Sequence, residues 1–457
     1  MRGTSPVNSI PLPPVLRLFV QVLASLTLLC GAAERFAASV LHLNGRYVYP
    51  LLNEFYPDFV YFTTKFLKLH TLSFFTTSPS NPFMYPAPVA LPYALFFFGS
   101  PQHSLRYFLA AMLGGFALAA ILLLRALHAR GLPWAMAAAF VASALLLSYP
   151  IWFVFHQANM EFAVWVILSL GLWAFFHKHP YLAGICFAAA GAMKLFPFVY
   201  LGLLLARKQF RVIVVSLAFA VALTLVSLWV VYPDIRVSWH QIEAGIGEFR
   251  SLYMLHLRPE RGFDHSIFGL LKQLWPTLPP PSQVAHLLSL YLLLAAVWGV
   301  TVYFVRIRKL PVINQVLCLC IASILLPPTS FDYTLIHLYA PWALLILHAV
   351  DRYAQPGSRP ASPALLSALL CLGVLFAPLT EFIVGGETVG GPIRCSVLIL
   401  LFAIALRYPF LDEEFEQSCL PAAAAPPRYR PVTSSFTPAR ETSTSSSDLP
   451  PLKAAIA

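Results

Sequence analysis

The carboxylate of Asp58 stands between Pro57 and Phe59 in the aromatic-rich stretch EFYPDFVYFTTKFLKLHTLSFFTTSPSNPFMYP, Glu54 to Pro86. A carboxylate in such apolar company at a membrane surface is costly unless it has a partner or a task. Two roles suit it. It caps a helix lying on the surface, or it serves as a general base, which requires a carboxylate within hydrogen-bond reach of a hydroxyl proton. The surrounding rings, Tyr61 and Tyr85 among them, suit a sugar, whose flat apolar face packs against aromatic side chains.

Other polar residues interrupt apolar sequence farther along. Gln157 and Asn159, in HQANMEF, either satisfy backbone groups at helix ends or contact a substrate. Lys194 lies within AAAGAMKLFPF, where an ammonium near mid-membrane costs roughly 3 kcal/mol. It either snorkels to the surface or meets an anion, for which a lipid phosphate is the obvious choice. Arg250, Arg258 and Arg261 precede GFDHSIFG, with Asp264, His265 and Ser266. These arginines are solvated singly, or as a group they bind the charged head of a lipid. In SFDYTLIH, Asp332 caps the following span or takes part in catalysis. His337 is placed about a turn and a half deeper along that helix. No Walker loop, dinucleotide fingerprint or zinc motif is present, so an enzyme here needs a membrane-borne activated substrate, and neither cofactor nor metal is called for.

Composition defines what must position these residues. Of 457 residues, 59% are hydrophobic and 11% charged, with a mean hydropathy of +0.73. Soluble domains carry about 25% charged residues, so the chain reads as an all-α polytopic membrane protein. The net charge of +11 sits in short basic clusters between apolar runs, the pattern of cytoplasmic membrane loops. The expected partners are therefore membrane lipids, and nucleic acid is not among them. The seven cysteines show no metal-ligand spacing and no disulfide framework.

Loop charge orients the segments. A cytoplasmic lead, residues 1–14, precedes a signal anchor from Val15 to Ala33. A first outer segment covers residues 34–104 and includes Ala87 to Gly99, too short for a span and read as interfacial. Leu105–Leu124 runs inward to Arg125, His128 and Arg130; Leu132–Phe153 runs outward; Phe162–Phe176 returns to His177, Lys178 and His179. Tyr181–Met193 and Phe196–Ala206 form an out-and-back pair broken at Lys194, a device tolerated where a broken helix lines a cavity. Val212–Tyr232 leads out to a second long loop, residues 233–283, and Val284–Val305 comes back to Arg306, Arg308 and Lys309. Leu310–Leu326, Leu335–Val350, Pro363–Ile383 and Pro392–Leu406 complete about twelve membrane segments, with both termini cytoplasmic. Residues 15–407 make up the membrane domain, and 408–457, rich in Pro, Ala, Ser and Thr, read as a disordered cytoplasmic tail. This topology, drawn from basic loops, gathers Asp58, Gln157, Asn159, Lys194, Asp264, His265 and Asp332 on the opposite, outer face.

Several stretches resemble glycosyltransferase family 87, integral membrane mannosyltransferase-like proteins that use polyprenyl-phosphate sugars. They are DFVY (Asp58–Tyr61), FMYPAPVALPYALF (Phe83–Phe96), HQAN (His156–Asn159), AGICFAAAGAMKLFP (Ala183–Pro197), DHSIFG (Asp264–Gly269) and PPTSFDY (Pro327–Tyr333). Ala87 stands where the family has a second proline, Phe331 replaces a tryptophan, and Tyr333 replaces a histidine, a role open to His337. The resemblance implies a GT-C type fold with an extracytoplasmic active site in a bacterial-type cytoplasmic membrane. It also implies an inverting transfer from a polyprenyl-phosphate sugar donor to a lipid or glycan acceptor. In that scheme Asp58 is the base, and Lys194, His265 and the loop arginines, Arg258 among them, are candidates to stabilise the departing phosphate. A lipid or sugar transporter, or a non-catalytic lipid-binding subunit, is the rival reading.

Overall fold

The computed structural model describes residues 11–39, 56, 58–59, 65–75, 83–97, 99–255, 263–274, 279–354, 362–379, 383–384, 387–388 and 390–410. Tyr61, Arg258, Arg261 and the tail from residue 411 lie outside them.

Proline sets where many of the helices begin. Pro14–Ser39, Pro101–Ala129, Pro180–Met193, Pro281–Val305 and Pro363–Phe376 each open on one. Its fixed φ suits the first helical turn, and the N–H it lacks would have no intrahelical partner there. Ser100 and Ser362 add side-chain caps, accepting from the backbone N–H of His103 and Leu365.

The described residues are overwhelmingly helical, with one two-residue antiparallel pair, Ile383–Val384 with Glu387–Thr388, in the connection before the last helix. Six helices are long and apolar enough to cross a membrane, or seven if one bent pair counts as a span. Their outer surfaces are apolar: Leu113, Leu118 and Leu122 on Pro101–Ala129 and Leu290, Leu293 and Val297 on Pro281–Val305 are exposed. Surface of that kind matches lipid tails; the chain is a multi-pass membrane protein. Six further apolar helices have only 10–17 residues, whereas a span needs about 20. Length therefore yields fewer full spans than the twelve segments expected. One of the short helices, Val312–Leu325, is nearly all buried and forms part of the interior of the protein.

Three expected segments differ from the structure. Leu132–Phe153 is not one span but two helices, Trp134–Leu146 and Tyr149–Gln157, meeting at 54°. Pro150 cannot donate to the carbonyl of Leu146, and the indole N–H of Trp152 takes that role at 2.9 Å. At the break the hydroxyls of Ser148 and Tyr339 are hydrogen-bonded to each other. Pro363–Ile383 stops at Phe376, because Pro378 drives Ala377 into an extended conformation. The long second loop contains a helix, Ile235–Phe249, capped by Asp234, and a shorter one, Ile267–Gln273, capped by Ser266.

Segment ends that loop charge assigns to one side do meet. Arg130 pairs with Asp351 at 2.9 Å, joining the ends of Pro101–Ala129 and Tyr339–Ala354. Arg306 donates to the carbonyl of Leu406 at 2.8 Å, and Asn314 to those of Ala405 and Tyr408 at 2.7 and 2.8 Å.

Candidate active site

The site grows from a turn. Helix Tyr149–Gln157 ends because Ala158 adopts a left-handed conformation, φ +46°, which costs a non-glycine residue about 1–2 kcal/mol. That turn places Asn159 back over the helix end, its N–H reaching the carbonyl of Val154 at 3.3 Å. The buried Asn159 side chain then works in two directions. Its Oδ1 accepts from the backbone N–H of Glu161 at 2.7 Å, at the start of helix Glu161–Phe176. Its Nδ2 donates to Oδ2 of Asp58 at 2.6 Å.

Glu161 gathers the next two groups. Its carboxylate forms an ion pair with Nζ of Lys194 and accepts from Nε2 of His337 at 2.6 Å. Lys194 follows the last residue of Pro180–Met193, in a non-helical conformation. The 3₁₀ turn Phe196–Tyr200 takes over beyond it, with Pro197 at its start. The broken helix expected here is present. The Lys194 ammonium lies 4.7 Å from the ring centre of Tyr333 and 5.8 Å from that of Tyr85, both within cation–π range. A fifth of the Lys194 side chain stays accessible, against 2% of Glu161. Burial pushes the Asp58 carboxyl above the usual carboxylate range, and the Asn159 hydrogen bond and Lys194 charge pull it back in part.

A second cluster adjoins the first through the 3₁₀ helix Asp332–Leu338. Asp332 Oδ2 accepts from Arg394 Nη1 at 2.5 Å and from the Tyr149 hydroxyl at 2.9 Å. His265 Nδ1 stands 3.4 Å from Oδ1. Asp264 Oδ1 accepts from the backbone N–H of Ser266 and Ser330, both at 3.0 Å, and His265 Nε2 lies 3.1 Å from the hydroxyls of Ser330 and Thr334. Burial raises the Asp264 carboxyl, and Lys272 and these N–H groups pull it down.

Asp58, Asn159, Lys194, His337 and Tyr85 thus belong to one connected site. Asp264, His265 and Asp332 are enclosed in the neighbouring cluster. The capping role expected of Asp332 is not what its side chain does: Phe331 occupies the cap position, and the carboxylate turns to Arg394. His337 lies on a 3₁₀ rather than an α-helical turn. Gln157 Nε2 sits 3.4 Å from His156 Nδ1; among the described residues no hydrogen bond joins Gln157 to Asp58.

Sequence reasoning did not select Glu161, Tyr149, Tyr333 or Arg394 for the site. Glu161 and Arg394 carried a usable signal, each a charge in an otherwise apolar helix. Tyr333 carried one as well, standing where the family motif has a histidine, whereas Tyr149 carried none, since tyrosines are common throughout this chain. A surface cavity of about 420 Å³ lined by Trp173, Lys178, His179, Tyr181 and Leu182 lies near the opposite end of the Glu161–Phe176 helix, remote from this chemistry.

In a multi-pass helical protein, the turn at Ala158, the break at Lys194 and the 3₁₀ helix Asp332–Leu338 bring a carboxylate, an ammonium and an imidazole together beside Tyr85 and Tyr333. The model of glycosyltransferase family 87 matches residues 83–328, more than half of the chain, and the protein belongs to that family. It is a membrane glycosyltransferase. No curated protein and no solved structure gives a significant match. The matched region holds Asn159, Glu161, Lys194, Asp264 and His265; Asp58, Asp332, His337 and Arg394 lie outside it.

Proposed function

We propose that the protein transfers a sugar, mannose or a related hexose, from a polyprenyl-phosphate donor to a hydroxyl of a lipid or glycan acceptor, with inversion. Asp58 is the general base. The acceptor proton passes to its carboxylate while the acceptor oxygen bonds to the anomeric carbon from the face opposite the phosphate. The carbon–oxygen bond to phosphate breaks, and its electron pair leaves with polyprenyl phosphate. Lys194 answers the charge growing on that leaving group, and Tyr85 and Tyr333 offer rings to the sugar. Loop charge argues for an extracytoplasmic site in the cytoplasmic membrane.

The observation that carries this reading is the single turn Ala158–Glu161, which holds the base through Asn159 and the cation through Glu161. A partly desolvated carboxylate with a raised proton affinity is also suited to general-base work.

The test is transfer of labelled sugar from polyprenyl-phosphate mannose to extracted membrane lipids by the purified chain and by Asp58→Asn. Transfer by the wild type and none by the folded variant supports donor class and base together. Equal transfer by both removes Asp58 from the mechanism.

A further inference from the structure

We propose that Arg394 is a positioning residue for sugar transfer: its ion pair with Asp332 fixes the segment that presents Tyr333 and His337 to Lys194 and Glu161. The proposal rests on the reading of the Asp58 site given above, and it concerns a side chain 62 positions beyond Asp332 and outside the family match.

Arg394 and Asp332 are both fully buried. One guanidinium gathers several elements. Nη1 holds Asp332 at 2.5 Å, Nη2 donates at 3.2 Å to the carbonyl of Ala377, just beyond helix Pro363–Phe376, and the guanidinium lies 4.7 Å from the ring centre of Tyr149. The Tyr149 hydroxyl donates to the same Asp332 oxygen. Tyr149 opens the helix whose far end is the Ala158–Asn159 turn, so the pair touches both arms of the site: the arm that ends on Asn159 and the arm that carries Tyr333 and His337.

The second arm is the one that needs fixing. Asp332–Leu338 is a seven-residue 3₁₀ helix, and such helices rarely persist beyond three or four residues because their hydrogen bonds are poorly aligned. Tertiary contacts must hold it. Asp332 at its first position supplies one end, and the His337–Glu161 contact supplies the other. A buried ion pair contributes little net stability compared with an apolar pair of the same shape, so geometry is the more economical account of its presence here. Asp332 therefore acts through the segment it anchors, not by touching substrate.

The experiment compares purified full-length wild type, Arg394→Met, Asp332→Asn and the double variant Asp332→Asn/Arg394→Met, measuring kcat and KM for transfer from polyprenyl-phosphate mannose together with thermal midpoints in detergent. Each single variant leaves one buried charge without its partner, and kcat is expected to fall at least tenfold with KM within about threefold of wild type. The double variant removes both charges and keeps an amide able to accept from Tyr149; it is expected to regain most of the lost kcat. Tyr149→Phe, which deletes one hydrogen bond to Asp332, serves as the mild variant if the single charge removals fail to fold, with a smaller loss expected in kcat alone. Folded single variants with wild-type kcat overturn the proposal. So does a folded double variant without activity, or a loss carried by KM, since either places Asp332 or Arg394 on the substrate. Transfer abolished by Asp58→Asn but indifferent to Arg394→Met would refute the positioning role alone, whereas transfer indifferent to Asp58→Asn would refute the reading of the site.

Discussion

Asn159 donates from Nδ2 to Oδ2 of Asp58 at 2.6 Å, across 101 residues of sequence. This bond favours the ionised carboxylate against a burial that opposes it. Its removal in Asn159→Ala should raise the Asp58 proton affinity further. The base must be deprotonated to act, so the acid limb of the kcat–pH profile should move to higher pH. Asn159→Asp, which keeps an acceptor for the Glu161 N–H but places a like charge beside Asp58, should move it farther still. A pH–rate profile of the three proteins checks the order, and an unmoved limb would show that Asp58 does not govern it.

Asp58 should also be a stability liability. Its folded proton affinity lies above that of an ordinary carboxylate, so the protonated form is favoured by folding. The benefit is complete below the unfolded value of about 3.9 and is lost as pH rises through the folded value. Asp58→Asn, neutral at every pH, should therefore match wild type in acid and exceed its thermal midpoint at neutral pH while transferring no sugar. Thermal unfolding in detergent at about pH 3 and about pH 8, one below the unfolded value and one well above it, reads this directly. A variant less stable than wild type at pH 8 would contradict it.

Glu161 is the common partner of Lys194 and His337. Glu161→Gln keeps the shape and removes the charge, leaving the Lys194 ammonium without its carboxylate. Breaking a buried pair from one side costs about 3–5 kcal/mol, and the fifth of Lys194 that remains accessible places this case toward the lower end. Expected are a lowered thermal midpoint and a loss of transfer of at least tenfold, with recovery in Glu161→Gln/Lys194→Met of stability but not of activity. Recovery of both would remove Lys194 from the chemistry.

Gly245 packs against the backbone of Phe83, whose carbonyl oxygen occupies the space a Cβ would need. Phe83 leads two residues on to Tyr85, over Lys194. Gly245→Ala must push that backbone aside, at about 1–3 kcal/mol for overpacking, and should raise KM for donor more than it lowers kcat. Gly247→Ala, with open space around it, is the matched control and should behave as wild type.

The membrane class and the places where many helices start were legible in single residues and their neighbours. Prolines mark helix starts because of their own geometry, and apolar composition declares the bilayer. The basic loops proposed a sidedness, and contacts such as Arg130 with Asp351 bring together ends that it had grouped. The break at Lys194 was readable from Pro197. Pro150 signals the bend between Leu146 and Tyr149, but the continuous hydropathy on either side hides it.

The partners of the charged residues were not readable. Asp58 stands out by its aromatic setting and by the DFVY resemblance, but nothing local to it names Asn159. Glu161 and Lys194 are 33 residues apart, and His337 comes 176 residues after Glu161. Composition and local spacing determined that a few charges must lie buried in an apolar protein. Tertiary packing decided which of them meet, because in a low-dielectric interior a charge is stabilised only by what touches it, and contact across such separations is a property of the packed helices.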